Sequence, residues 1–441
     1  MSAQLRKLFP WFALALAVAA VAWAVSFGTL PPADFTFDNS TEIKTVDPPK
    51  ATGQPEGRII DAVFEGLLRH TVPADKLKNA KPGENLDLSA EPASAESYTI
   101  SKDGRTYTFQ MRKTAKWSDG SPVTAHDFAW SWRRMLHPET ASEYAYQLHY
   151  LQGAEQYTTA EVQEEEPVEV ELNDRPNELQ TFPRGTIVRG KLTRIEKSPE
   201  PQFAQDVDKK EQKRAMAAWR ETWIYWVTPE GEDEAVAYCK QTPEGRSKVT
   251  RCLHILPDFE KTVGIRPEGE EKLVLTLKHP TPYFPELLAF YPLFPVNRRC
   301  VETFGSPNWT KPENLVSNGP YRIQFRRIRD RIRLVKNESY WNADSVQLKT
   351  IDALAIKSET TALNMYLSGQ IDWATTVPKT MIPEIQKQLG PQFRNTPMLT
   401  TYFYRLNVNR PPLNNVKVRQ ALSLALDRRQ ICEHVTKAGE V

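Results

Sequence analysis

One stretch constrains this chain more than any other: Tyr98–Leu136, YTISKDGRTYTFQMRKTAKWSDGSPVTAHDFAWSWRRML. Tyr107, Phe109 and Met111 alternate with Thr106, Thr108, Gln110 and Arg112, the period of a half-buried strand. Lys102-Asp103-Gly104-Arg105 before it reads as a tight turn, with Asp-Gly supplying positive φ angles. Trp117-Ser118-Asp119-Gly120 reads as a second turn. Thr124 then caps a helix, Asp127 completes a capping box, and Val123 with Phe128 forms a hydrophobic staple. Phe128, Trp132, Met135 and Leu136 share one face of that helix. Local physics yields strand, turn and capped helix, and no chemistry.

The function comes from a resemblance. The run AKWSDGSPVTAHDFAWSWRRMLHPETASEYAY is similar to a long ungapped segment of the oligopeptide-binding proteins of bacterial ABC importers, the extracytoplasmic solute-binding proteins of family 5. Further matches are DPPKATGQPEGRIIDAVFEGLL, PTPYFPELLAFYPLFPV, SNGPY, NESYW, SGQIDWA and PPLNNVKVRQALSLALD. Together they cover most of residues 45–160 and 265–441. The resemblance implies an α/β, periplasmic-binding-protein type II-like two-lobed clamp with an extra domain. It divides the chain into 34–64 with 301–398 as lobe I, 65–300 as lobe II, and 399–441 as the start of a third lobe. Residues 161–262, where the resemblance lapses, read as a subdomain inserted in lobe II.

Carried over position by position, the resemblance implies a peptide site. The glycine loop near the start of lobe I puts Gly53 and Gln54 at the ligand. Tyr146 matches a cleft tyrosine; the strand end and loop at Trp373–Thr376, with Trp373 and Thr375, reach the same cleft. Backbone near Leu399, Thr401 and Tyr402, on a strand crossing into the third lobe, pairs with the peptide. On their own the same residues read as a turn glycine and packed aromatics. Such receptors hold a peptide as an added strand, act as monomers, dock on a membrane permease and hydrolyse nothing. The family's chains continue well past Val416–Asp427 and hold much of their grip on the peptide termini there, so this chain reads as apparently lacking most of the C-terminal lobe. Losing half the contacts of a micromolar receptor leaves binding near millimolar, about −4 kcal/mol.

A chain of 441 residues with 40% apolar and 25% charged residues is an ordinary globular chain of more than one domain. A net charge of +2 makes no case for nucleic acid. Arg6 and Lys7 precede an apolar run, Leu8–Leu30, which reads as an export signal or an uncleaved anchor, with the remainder periplasmic. The acidic run EVQEEEPVEVELNDR reads as solvated surface. Cys239 and Cys252, close in sequence and outside the cytoplasm, are expected to bridge. With seven histidines and no CxxC or HExxH spacing, no metal site or cofactor is expected. Two rival readings remain: a membrane-tethered sensor or interaction module using the insertion, and a secreted hydrolase, for which no nucleophile elbow is present.

Overall fold

The computed structural model describes residues 30–79, 81, 86–175, 181–198, 200, 208–220, 222–241, 248–395 and 401–437. The apolar run before Leu30 lies outside them. No helix among the described residues is long and apolar enough to cross a membrane.

The opening stretch folds as its sequence dictates. Strand Thr106–Met111 buries Tyr107, Phe109 and Met111. Thr124 N–H donates to Asp127 Oδ2 at 2.7 Å, and the capping box is complete. Helix Ala125–Leu136 buries Phe128, Trp132, Met135 and Leu136, each contributing about 1.5–3 kcal/mol of apolar burial. The strand sits in an antiparallel four-stranded sheet, ordered Ile265–Glu268, Lys272–Thr276, Thr106–Met111, Ala95–Ile100. A second sheet joins distant sequence. Phe35–Asp38 lies parallel to Thr350–Leu354, followed by Arg331–Lys336 and Tyr321–Arg327. One continuous core links the sheets, from Phe37 and Val63 to Phe109 and Leu275.

The insertion is a closed five-stranded barrel: Val249–Pro257, Pro167–Leu172, Ile187–Lys197, Trp223–Pro229 and Val236–Cys239. It has its own core of Val168, Val170, Leu192, Val227, Tyr238, Cys252 and Ile255. Closing the sheet leaves no unpaired edge, so so small a unit needs little support from its host.

Several expectations are corrected. The acidic run does not lie wholly in solvent: Glu169 and Glu171 are each 1% exposed. Both Glu169 carboxylate oxygens accept from Arg133 Nη2 at 2.9 Å, and Oε1 also accepts from Tyr157 Oη at 2.8 Å. Their partners come from another element, so composition could not show the burial. Cys239 and Cys252 are free, buried thiols. Strand register sets Cys239 beside Arg251, which turns Cys252 to the other side of the pleat. The SNGPY run leads into the hairpin of Tyr321–Arg327 with Arg331–Lys336, and its Asn318-Gly319 is held against the backbone of Val63–Glu65. Asn318 Oδ1 accepts from Glu65 N–H at 3.0 Å, and Gly319 N–H donates to Val63 O at 2.9 Å. A Cβ on Gly319 would stand 2.5 Å from the Val63 carbonyl carbon, so glycine permits this approach. The hairpin turns at Ile328–Asp330, with Arg329 at φ 61°. On this hairpin Arg333 is buried and grips Asp352 through Nε and Nη2, each at 2.7 Å. Strands Leu68–Thr71 and Ser89–Pro92 pair antiparallel beside the opening stretch's lobe.

Thr401 to Asn407 is not a strand, and no described residue of 401–437 is buried. On helix Val416–Leu424 and just beyond it, Leu422, Leu424 and Leu426 are 48%, 86% and 46% exposed.

Candidate functional site

The site grows from the N-terminus of helix Gln54–Val63. Gly53 is its N-cap, with extended backbone and Pro55 in the first turn. Pro55 starts the helix and extended backbone at Phe64 ends it. Gly53 is needed for space rather than for φ. A Cβ there would meet Glu56 Oε2 at 2.2 Å, while Glu56 Oε1 accepts the Lys44 N–H at 2.9 Å.

On one side of this loop stands a wall from the Phe35–Asp38 sheet. Asp372 N–H donates to Thr36 O at 2.7 Å and Asp38 N–H to Trp373 O at 3.0 Å, so residues 372–374 run along the edge of the first strand. That pins Trp373 against Phe37, ring centroids 5.4 Å apart, with Arg58 5.7 Å from its ring. Thr375 Oγ1 lies 3.0 Å from Ser40 Oγ and 3.5 Å from Asp38 Oδ2. Burial raises the Asp38 carboxyl above the usual range, an effect opposed by the Ser40 N–H and by the positive charge of Arg58. Arg58 follows Gln54 by one helical turn, so the two lie on the same face of the helix. Trp373 remains 44% exposed, an aromatic face open to a ligand.

On the other side is an aromatic shelf from the lobe of the opening stretch. Tyr144 Oη donates to Thr52 O at 3.5 Å, and Tyr291 Oη to Gly53 O at 3.3 Å. Burial holds the Tyr291 phenol well above its ordinary value, with Tyr144, Glu56 and Asp61 adding to the effect, so it stays a donor. Tyr291 reaches the loop because Gly57 leaves room; a Cβ there would stand 2.8 Å from the ring. Phe290 packs edge-on against Tyr144 at 5.1 Å. Tyr146 lies 6.2 Å from Tyr144 and is 54% exposed.

The structure therefore brings Gly53, Gln54, Trp373 and Thr375 to one end of one helix, with Tyr146 on the facing shelf. Thr401 and Tyr402 are exposed, Tyr402 stacking edge-on with Tyr404 at 5.8 Å. Leu399 lies outside the described residues. Asp38, Ser40, Arg58, Tyr144 and Tyr291 were missed. Only Arg58 had a signal in the sequence, its i+4 spacing from Gln54.

Behind the shelf lies a cavity of about 330 Å³, lined by Asp61, Glu65, Arg69, Phe290 and Tyr291 among others. Glu65 is buried and takes Tyr340 Oη at 2.5 Å and Trp341 Nε1 at 2.7 Å, so the segment leaving the helix is locked to the other sheet. Asp61 has its surface in water but lies in a concave wall. That enclosure pushes its carboxyl up to about 7.

Residues 89–441 match the family described as bacterial extracellular solute-binding proteins, family 5, middle region. This chain belongs to that family. Among curated relatives of this family 5 member is the periplasmic oligopeptide-binding protein OppA of Escherichia coli K12. It is 29% identical over 405 residues, covering 92% of this chain and 54% of that protein. The periplasmic murein peptide-binding protein MppA of the same organism is 27% identical over 399 residues, covering 90% and 54%. The chain thus spans about half the length of these relatives. Among solved structures, OppA of Burkholderia pseudomallei superposes with a TM-score of 0.62 at 27% identity, covering 94% of this chain and 60% of that one. The family 5 chain has the type II periplasmic-binding-protein-like, two-lobed α/β fold that its motifs imply.

Proposed function

We propose that this chain is the extracytoplasmic solute-binding component of an ABC importer and binds oligopeptides. One observation carries the reading. Tyr144 and Tyr291 hold the carbonyls of Thr52 and Gly53, and Arg58 on the helix that follows reaches the Trp373 ring, while Tyr146 and Trp373 stay exposed. A peptide suits such a site because it offers backbone hydrogen-bonding groups to a loop and side chains to aromatic faces. Both named curated relatives are periplasmic peptide-binding proteins, which supports the same ligand class, an exported location and a permease in the membrane as partner. The reading includes no catalysis, and the ligand is carried unchanged. In it, Thr401, Tyr402 and Leu399 belong to the crossing segment that closes on the peptide.

The test is calorimetry of the whole chain with a pool of short peptides, with free amino acids and a disaccharide as controls. Saturable peptide binding is expected, weakened about tenfold, or 1.4 kcal/mol, by Trp373→Ala. No binding at millimolar peptide, or binding indifferent to Trp373→Ala and Tyr146→Ala, refutes the reading. A second reading, an added interaction module, is favoured by the self-contained barrel. Recovery of a partner by the whole chain, lost on excising 167–257, would support it.

A further inference from the structure

We propose that His137, Glu171 and His254 form a binding site for a zinc-class divalent cation that staples the inserted barrel to its host lobe. The site is separate from the peptide site. His137 is the C-cap of helix Ala125–Leu136. Glu171 and His254 lie on neighbouring barrel strands and are register partners, so their side chains leave the sheet on the same side. The helix end brings His137 over that pair. One candidate ligand atom from each of the three lies within 4.8 Å of the others. A tetrahedral ion with ligands at roughly 2.0–2.1 Å holds neighbouring ligand atoms roughly 3.3 Å apart. His137 Nε2 and Glu171 Oε2 are already 3.1 Å apart.

The plain alternative is a buried His–Glu ion pair. Against it, Glu171 Oε2 is shielded from water and lies 3.1 Å from His137 Nε2 but off the line of an N–H, so the imidazole favours its charge without an aligned hydrogen bond. Two atoms that are close but not aligned along an N–H are placed as ligands that converge on a third point. Glu171 Oε1 is already in use, accepting the backbone N–H of Arg184 at 2.6 Å and of Gly185 at 3.3 Å. Leaving the second oxygen of a carboxylate only 1% exposed without a partner is costly, and a cation removes that cost. His137 is 3% exposed, while the His254 side chain is 18% exposed and offers an entry path. Glu139 Oε1, 3.4 Å from His254 Nε2, or a water can complete the shell, although Arg184 Nη1 already holds that oxygen at 2.6 Å. One contact opposes ligation. His137 Nδ1 accepts the Glu139 N–H at 3.3 Å, and binding through Nε2 gives up that long bond. Two imidazoles with one carboxylate suit zinc and exclude calcium or magnesium, which take oxygen ligands.

The experiment uses the whole chain, stripped with chelator and dialysed against zinc chloride, with bound metal measured by elemental analysis. One zinc per chain with sub-micromolar affinity is expected, together with a rise in melting temperature on loading. Glu171→Gln and His254→Gln should each weaken binding at least about tenfold, while His70→Gln and His434→Gln should not. Cobalt(II) in place of zinc should show the absorption bands of a low-symmetry nitrogen–oxygen site. No stoichiometric zinc, or equal zinc in Glu171→Gln and His254→Gln proteins with native circular dichroism, overturns the proposal. Should both variants fail to fold, wild-type protein with no cobalt bands overturns it equally.

Discussion

Arg134→Met is the most exacting perturbation of the scaffold behind the peptide loop. Arg134 sits on the last turn of the opening helix and reaches Asp47, six residues before Gly53. Its Nη1 donates to Oδ1 at 2.9 Å and its Nη2 to Oδ2 at 2.6 Å. The two side chains are 5% and 2% exposed, so water cannot replace either partner. Methionine keeps the apolar stem and removes only the fork, leaving the Asp47 carboxylate buried and unpaired. Breaking a buried pair from one side costs about 3–5 kcal/mol. Loss of the guanidinium near the Trp309 ring, 5.7 Å away, adds about 0.5–1 kcal/mol. For 441 residues unfolding as one unit, the entropy of unfolding is roughly 0.9 kcal/mol per kelvin, so the melting temperature should fall by about 5 °C. Urea unfolding of wild type, Arg134→Met, Asp47→Leu and the double variant gives the coupling. The double variant should recover most of the loss, because an apolar pair of similar volume replaces a buried ion pair at little cost. A loss below about 1 kcal/mol for Arg134→Met, or single losses that simply add in the double variant, refutes the argument.

Three further outcomes follow from neighbouring contacts. Burial works against the Asp352 charge, but hydrogen bonds from Arg333 and Arg331 outweigh it and hold the carboxyl below the usual range. Its contribution is present above the unfolded value of about 3.9 and lost as pH falls through the lower folded value, so Asp352→Asn should flatten the acid limb of a stability-versus-pH curve. Asp61 has the opposite sign. With its carboxyl pushed up to about 7, folding binds a proton between about 3.9 and that value, and stability falls as pH rises through the window. Asp61→Asn should therefore gain on wild type at pH 8 relative to pH 5 in paired thermal melts; an equal difference at both pH values would rule this out. Gly57→Ala sets about 1 kcal/mol of helix propensity against about 1–3 kcal/mol of overpacking on Tyr291. Net destabilisation with weakened peptide binding is expected, and a stabilised protein with unchanged binding would show that Tyr291 does not position the loop.

What the sequence determined alone is local. The alternation at Thr106–Met111, the Thr124–Asp127 box and the apolar face of Ala125–Leu136 involve groups a few residues apart, and each forms as its pattern dictates. The long motifs carried the family, and through it the positions Gly53, Gln54, Trp373 and Thr375. Tertiary structure decided whatever depends on partners far along the chain. Glu169 and Glu171 read as solvated charges until folding set them against Arg133 and His137. Asn318-Gly319 takes its place only because the backbone of Val63–Glu65 is laid against it. Arg333 is buried because Asp352 meets it from the next strand. In each case the energy of a charged or polar group depends on what neutralises it after burial, and no short window of sequence contains that neighbour.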